Sequence, residues 1–415
     1  MITDLLAPRA VADAHGVYHE LREHAPITWL PEHHAWFVAR YDGVHAAFRD
    51  LRLSSDRLTP LEARLDPDAR AILADTFDLL RGWMVFHDPP HHERLRGPVR
   101  RAFTPRAVEA LRPHVVEVVD ECLDDMAADI AEHGRTDLIT RLAFPLPAIV
   151  IAELLGVPVA DRDEFKTWST QLAAIVFGTS DRSSQAERAA AGTARFAEYF
   201  TGLIEHYERH PADNLISALI AARDTAEPPL SATELVGACT LLLFGGHETT
   251  TNLIGNATRA LVEHPDQLRW LGANPDAIGG AVEELHRFDG TTKLMVRIVG
   301  EGHEREGVEF EPGQTVFLGT ASANRDPRAF DRPDELHLDR PDAHKHLGFG
   351  YGLHFCLGAP LARLETQIAI GRLVGRFADL ELAAGPDELR YGATILGRAL
   401  DELPVTSAGA GASPG

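Results

Sequence analysis

The stretch Phe349-Gly350-Tyr351-Gly352-Leu353-His354-Phe355-Cys356-Leu357-Gly358 sets one cysteine among three glycines and three aromatics, and the amphipathic run Ala359 to Leu380 follows at once. Glycine reaches backbone conformations closed to other residues, so the spacing predicts a tight loop whose backbone approaches a ligand closely. Cys356 then stands just before a helix N-terminus, where the positive dipole end and free N–H groups favour a thiolate. A thiolate is the form in which cysteine binds a metal. A lone cysteine beside a turn is more often a small buried apolar residue, so the case for a ligand rests on all ten residues. Two other readings fail on spacing. Gly348, Gly350 and Gly352 alternate strictly, which leaves no G-x-G-x-x-G fingerprint. No second cysteine lies near enough in sequence for a zinc knuckle.

Composition bounds the setting. The chain has 415 residues, 45% of them hydrophobic, enough to bury a large core. A formal charge of −22 argues against nucleic acid or an anionic membrane as partner. Cys122, Cys239 and Cys356 are odd in number and far apart, so no disulfide framework is expected and a reducing compartment fits. The first fourteen residues hold no signal-peptide core, and nowhere do eighteen apolar residues run together. The expectation is a soluble, cytoplasmic protein.

Helical patterns dominate the chain. Short strands are predicted at 27–30 and 35–39 around a Pro-Glu-His-His turn, then near 295–299, 308–310, 315–318 and 391–405. Residues 52–86 lack clear periodicity, which in a segment this long often marks function. Helices are predicted through 91–139, interrupted at Pro105 and Pro113, and at 144–155. The longest element starts at Ser231-Ala-Thr-Glu234, a capping box before an apolar run, and stops before Pro265. A further helix follows Asn274-Pro275 to Phe288. The fold class is mainly α with a small β region.

Three internal motifs carry chemistry. Leu243-Phe-Gly-Gly-His-Glu-Thr-Thr250 places two glycines in mid-helix, at about 1 kcal/mol each against alanine. Either a flat cofactor or a crossing helix must come close there. A threonine beside them can turn its hydroxyl onto a helix carbonyl and open the ladder. Position 251 is Thr251, so no H-E-x-x-H zinc site exists. Glu284-Leu-His-Arg287 sets a carboxylate and a guanidinium at i and i+3 on one helix face. Asp88-Pro-Pro-His-His-Glu-Arg-Leu-Arg96 opens a helix with prolines and puts His92 and Arg96 one turn apart.

Together these segments resemble the cytochrome P450 family, in the family's order and over nearly the whole chain. Phe349, Gly350, Gly352, His354, Cys356 and Gly358 match its haem signature; Gly245, Gly246, Glu248 and Thr249 match its oxygen-activating motif; Glu284 and Arg287 match its E-x-x-R pair. The resemblance implies a single-domain P450-like haem-thiolate fold over residues 1–405, with a disordered tail at 406–415. It implies haem b, with Cys356 as the axial ligand of iron. His92, Arg96, Arg297 and His354 match positions that hold the propionates, and Gly245, Gly246, Phe349 and Gly358 positions against the macrocycle. Thr249 and Glu248 take the catalytic roles of orienting oxygen and relaying protons. Glu284 and Arg287 give structural support, completed by Arg325 or Arg340.

Substrate contacts are implied within 57–85, 168–177, 242–244, 291–295 and 394–396, among them Phe244, Thr291, Thr292, Met295 and Ile395. Thr291-Thr-Lys293 departs from the family's commoner Pro-Val, and Lys293 is expected to point to water. The function implied is a monooxygenase that uses O2 on a small or mid-sized, largely apolar natural product. The resemblance is strongest to members served by a separate ferredoxin and ferredoxin reductase, without a fused flavin or nicotinamide domain. Arg94, Arg100 and Arg101, with Arg363, form the implied ferredoxin dock. Oxidative coupling of aromatic substrates at the same haem is the alternative reaction. A non-enzymatic haem sensor or carrier explains the Cys356 loop equally well, but gives no reason for Gly245 to Thr249.

Overall fold

The computed structural model describes residues 4–7, 10, 13–177, 183–385, 388–392 and 396–407. Its organising element is the helix Ala232–Glu263, 32 residues and about 48 Å long at the α-helical rise. Both halves of the capping box form. The Glu234 N–H donates to Ser231 Oγ at 3.1 Å, and the Ser231 N–H donates to the Glu234 carboxylate at 2.9 Å. This central helix is buried along most of its length against Pro145–Leu155, Ile278–Asp289 and Ala359–Arg376. Pro145–Leu155 is almost wholly apolar and stops at Gly156, whose φ of 86° is left-handed.

The helical stretch after His91 divides into His91–Ala102, Pro105–Ala110 and Arg112–His133. Pro105 and Pro113 open helices rather than interrupt one. Each lies in a first turn, where the N–H it lacks has no intrahelical partner anyway. Residues 52–86 hold Leu58–Ala63, Pro67–Ile72 and Ala74–Leu80. The segment is pinned to the central helix where two backbones touch: a Cβ on Gly237 would lie 2.6 Å from Gly82 Cα. Beside that crossing, the Trp83 indole N–H donates to Thr240 Oγ1 at 3.0 Å.

The β region joins distant parts of the chain. Strands β1 (Ile27–Leu30), β2 (Ala35–Val38), β3 (Leu53–Ser54), β4 (Met295–Val299) and β5 (Thr315–Leu318) form one sheet in the order β1-β2-β5-β4-β3. Only β2 and β5 run parallel. The strand expected at 308–310 pairs instead with His303–Arg305. The final pair expected at 391–405 reduces to a bridge between Tyr391 and Leu400 and the strand Pro404–Thr406. That strand pairs with Thr136–Asp137 and Glu381–Leu382. Thr406, placed by sequence in the tail, thus ends a strand, while residues 408–415 lie outside the described residues. Among the described residues, no helix is long and apolar enough to cross a membrane.

Candidate active site

The cysteine loop needs two of its glycines for conformation. Gly350 and Gly352 have φ of 69° and 72°, strained for any side chain. Gly358 has an ordinary φ, and the space beside Cys356 Sγ is what it leaves open. The Cys356 N–H donates to Phe349 O at 2.9 Å and closes the loop, and Ala359–Arg376 begins three residues on. Burial pushes the Cys356 thiol up, while the N–H groups of Gly358 and Ala359, with Arg96 and Arg363, pull it down. The helix-terminus effect expected from sequence is therefore present but outweighed by desolvation. A coordinating metal overrides that balance by deprotonating the thiol outright.

Cys356 opens into a cavity of about 260 Å³. Across from it, Leu242, Gly245, Gly246, Thr249 and Leu253 line the wall, spaced by three and four on one face of the central helix. The paired glycines differ. A Cβ on Gly246 would meet Ile151 Cγ1 at 2.6 Å, whereas one on Gly245 would meet nothing within 4 Å and project into space. The Thr249 hydroxyl donates to Gly245 O at 3.0 Å. Thr291, Thr292 and Met295 join the lining, with Met84 and Val85 from the irregular segment.

Several expected contacts fall elsewhere. Phe244 turns to the other side of the helix and packs on Trp83, 5.2 Å between rings. Glu248 does not line the cavity; its Oε2 lies 3.9 Å from His247 Nε2. Among the described side chains of 168–177 none lines it either, and Trp168 packs among Phe165, Phe196 and Tyr199. Lys293 is 7% exposed rather than turned to water, and burial brings its pKa to about 8. It too lies off the cavity, so it does not anchor a substrate there. Ile395 is outside the described residues. Ile151, Phe103 and Leu361 are lining residues that sequence reading missed. Leu361 was within reach, one turn on from Gly358; Ile151 comes from the helix Pro145–Leu155 and Phe103 from just past His91–Ala102, with no local signal.

One end of this site gathers cations. The rings of His92 and His354 lie 4.2 Å apart. His92 is fully buried, and neither of its nitrogens has a partner among the described residues. Burial, then Arg96, brings its pKa to about 4; burial, then His92 and Arg297, brings His354 to about 3. Arg297 is buried on β4, on the same side of the strand as Met295, and burial lowers it to about 10. Arg57, which sequence reading did not assign to this group, is lowered to about 10 by burial and by Arg297. The Arg96 guanidinium donates to Phe355 O at 2.6 Å. A buried, unpartnered His92, kept neutral chiefly by burial and set beside His354 and the cationic Arg96 and Arg297, calls for anions. A glycine-walled slot, a facing thiol and this cluster fit an iron macrocycle with two carboxylates, the haem implied by the signature.

Beneath the slot, Glu284 and Arg287 are buried and bonded twice, at 2.6 and 2.8 Å. Arg340 completes the network, its Nε 3.1 and 3.0 Å from the two Glu284 oxygens. Arg325 instead donates to Phe288 O. Half of the basic patch is neutralised: Arg94 pairs with Glu234 and Arg363 is clamped by Glu283, while Arg101 keeps its charge and donates to Thr225 Oγ1. Arg100 stays exposed, with no ion pair among the described residues.

Comparison with known proteins agrees with this geometry. The family pattern described as Cytochrome P450 matches residues 29–276 and 278–390. The chain is 41% identical to the vitamin D(3) 25-hydroxylase of Pseudonocardia autotrophica, over 97% of this chain and 96% of that protein. It is 37% identical to the 6-deoxyerythronolide B hydroxylase of Saccharopolyspora erythraea, over 97% and 98%. The crystal structure of P450BioI in complex with an acyl carrier protein ligated to hexadec-9Z-enoic acid superposes with a TM-score of 0.85 at 36% identity, covering 96% of this chain and 99% of that one.

Proposed function

This chain belongs to the cytochrome P450 monooxygenase family, whose cofactor is haem b, and on that premise we propose that it inserts one oxygen atom of O2 into a small or mid-sized, largely apolar natural product. Electrons come from a separate ferredoxin and its reductase. The observation that carries this reading is the shared cavity, in which Cys356 and Thr249 face one space walled by apolar side chains and threonine hydroxyls. The names of the vitamin D(3) and 6-deoxyerythronolide B hydroxylases support hydroxylation of a mid-sized product.

Haem, when bound, supplies the centre at which dioxygen is reduced and split. Cys356 would hold the iron as its thiolate, and His92, Arg96, Arg297 and His354 would hold the two propionates. The Thr249 hydroxyl, anchored on Gly245 O, orients oxygen and a water that brings a proton. Leu242, Met295 and their neighbours exclude bulk water and present a C–H bond. Two electrons and two protons enter for each oxygen atom inserted and each water released.

The ferrous–carbon monoxide difference spectrum of the purified protein tests this. A strongly red-shifted Soret band, lost in Cys356→Ala, is the expected result. A histidine-type band, or no haem, overturns the reading. For the electron donor, Arg100→Glu is expected to slow reduction by ferredoxin at low salt by about tenfold. An unchanged rate removes this face of the His91–Ala102 helix as the dock.

A further inference from the structure

The helix Ile278–Asp289 ends on a carboxylate, where the helix dipole is negative and an acid is unfavourable. The Asp289 side chain is also 1% exposed, so its charge needs cations close by. Two guanidinium groups supply them. Arg259 of the central helix holds its Nη2 2.6 Å from Asp289 Oδ2, and Arg398 holds its Nε 3.0 Å from Oδ1. His15 of Ala14–His24 comes within 3.6 Å. Burial alone would raise the Asp289 carboxyl, but Arg398, His15 and Arg259 bring it well below the usual carboxylate range. Among the described residues Arg259 also pairs with Glu263, whereas Asp289 is the one carboxylate that pairs with Arg398.

The backbone around Arg398 carries this ion pair to the cavity. The Arg398 N–H donates to Thr291 O at 2.8 Å, Gly397 forms an antiparallel bridge with Thr292, and the Lys293 N–H donates to Leu396 O at 2.7 Å. From the central helix, the Asn256 side chain donates to Arg398 O at 3.1 Å. Thr291 and Thr292 line the cavity, and neither Asp289 nor Arg398 does. Asp289 therefore holds the threonine turn twice, along the chain from two residues before Thr291 and across the bridge through Arg398. Resting on the reading above, we propose that Asp289 is a positioning residue for the substrate, which through Arg398 fixes where the Thr291–Thr292 wall stands relative to Cys356. The place of that wall decides which C–H bond of a substrate is presented, so the ion pair acts on specificity without touching the substrate.

Soret shifts of the haem-loaded protein with two azoles test this without turnover. Imidazole needs room only at the iron, whereas 4-phenylimidazole adds a ring that must be seated against the cavity wall. Arg398→Met removes the tie and leaves Asp289 paired with Arg259. The expected result is 4-phenylimidazole bound about tenfold more weakly in Arg398→Met, with imidazole unchanged. Asp289→Asn should lose the same factor, and the double variant no more than either alone, because both act through one contact. Unchanged 4-phenylimidazole binding in Arg398→Met, equal loss for both azoles, or losses that multiply in the double variant overturn the proposal. If Asp289→Asn fails to fold, the two azoles in Arg398→Met decide alone. An unaltered protein whose Soret band neither azole shifts fails earlier and overturns the haem reading instead.

Discussion

Gly245 and Gly246 stand side by side on one helix for different reasons, and single substitutions separate them. The nearest neighbour of a Cβ at Gly246 is Ile151 in a packed interface. Gly246→Ala should cost about 1–3 kcal/mol by overpacking. At Gly245 nothing stands within 4 Å, so Gly245→Ala gains up to about 1 kcal/mol in helix propensity while its methyl enters the slot. The expected pattern is crossed: a lower thermal midpoint for Gly246→Ala, and an unchanged or higher midpoint with less haem per protein for Gly245→Ala. Equal loss of midpoint in both would show that neither glycine faces open space. Sequence flagged both glycines as costly, but their spacing held nothing to tell a packing contact from a cofactor wall.

Among the elements, the buried network on Ile278–Asp289 makes the sharpest claim. Glu284 accepts from Arg287, from Arg340 and from the His337 N–H at 3.0 Å, so its oxygens are fully engaged. Glu284→Ala leaves two buried guanidinium groups without their counter-charge, a loss of about 3–5 kcal/mol. Arg340→Leu should act in the same direction, whereas Arg325→Leu leaves the pairing of Glu284 intact. Thermal melts of the three variants check this, and equal damage from Arg325→Leu and Arg340→Leu would sink the assignment. The i, i+3 pair was legible because one helical turn fixes it. Its third member, 56 residues from Glu284, was narrowed by resemblance only to Arg325 or Arg340, since helix periodicity does not reach a loop.

At the scale of the whole molecule, buried titratable groups set how stability follows pH. His286, His346 and His247 are held below their ordinary 6.5 by burial, and His15 is brought to about 4. A histidine depressed in the folded state contributes stability that is whole above 6.5 and lost as pH falls, because the unfolded chain takes up the proton first. Glu365 has the opposite sign. It is fully buried, neither oxygen has a partner among the described residues, and desolvation raises it well above 4.5. Its unfavourable term appears as pH rises past 4.5, where the unfolded carboxyl ionises and the folded one does not. Midpoints should therefore decline on the acid side in wild type, and Glu365→Gln should gain on wild type progressively above pH 4.5. A difference independent of pH would mean that Glu365 is ionised in the fold.

Some of this protein was decided by residues close together in the chain. Gly350 and Gly352 must turn the loop before Cys356, Ser231 and Glu234 must start the central helix, and Glu284 must meet Arg287. Each relation is set by backbone geometry within about one helical turn or one tight turn. Tertiary structure alone decided that Arg340 closes the Glu284 network, that Phe244 and Glu248 leave the cavity, and that Arg94 and Arg363 are held by carboxylates. It alone joined β2 to β5 across the length of the chain. Such contacts depend on how whole faces pack, and a side chain's neighbours across that distance follow from the assembled core rather than from its own flanking residues.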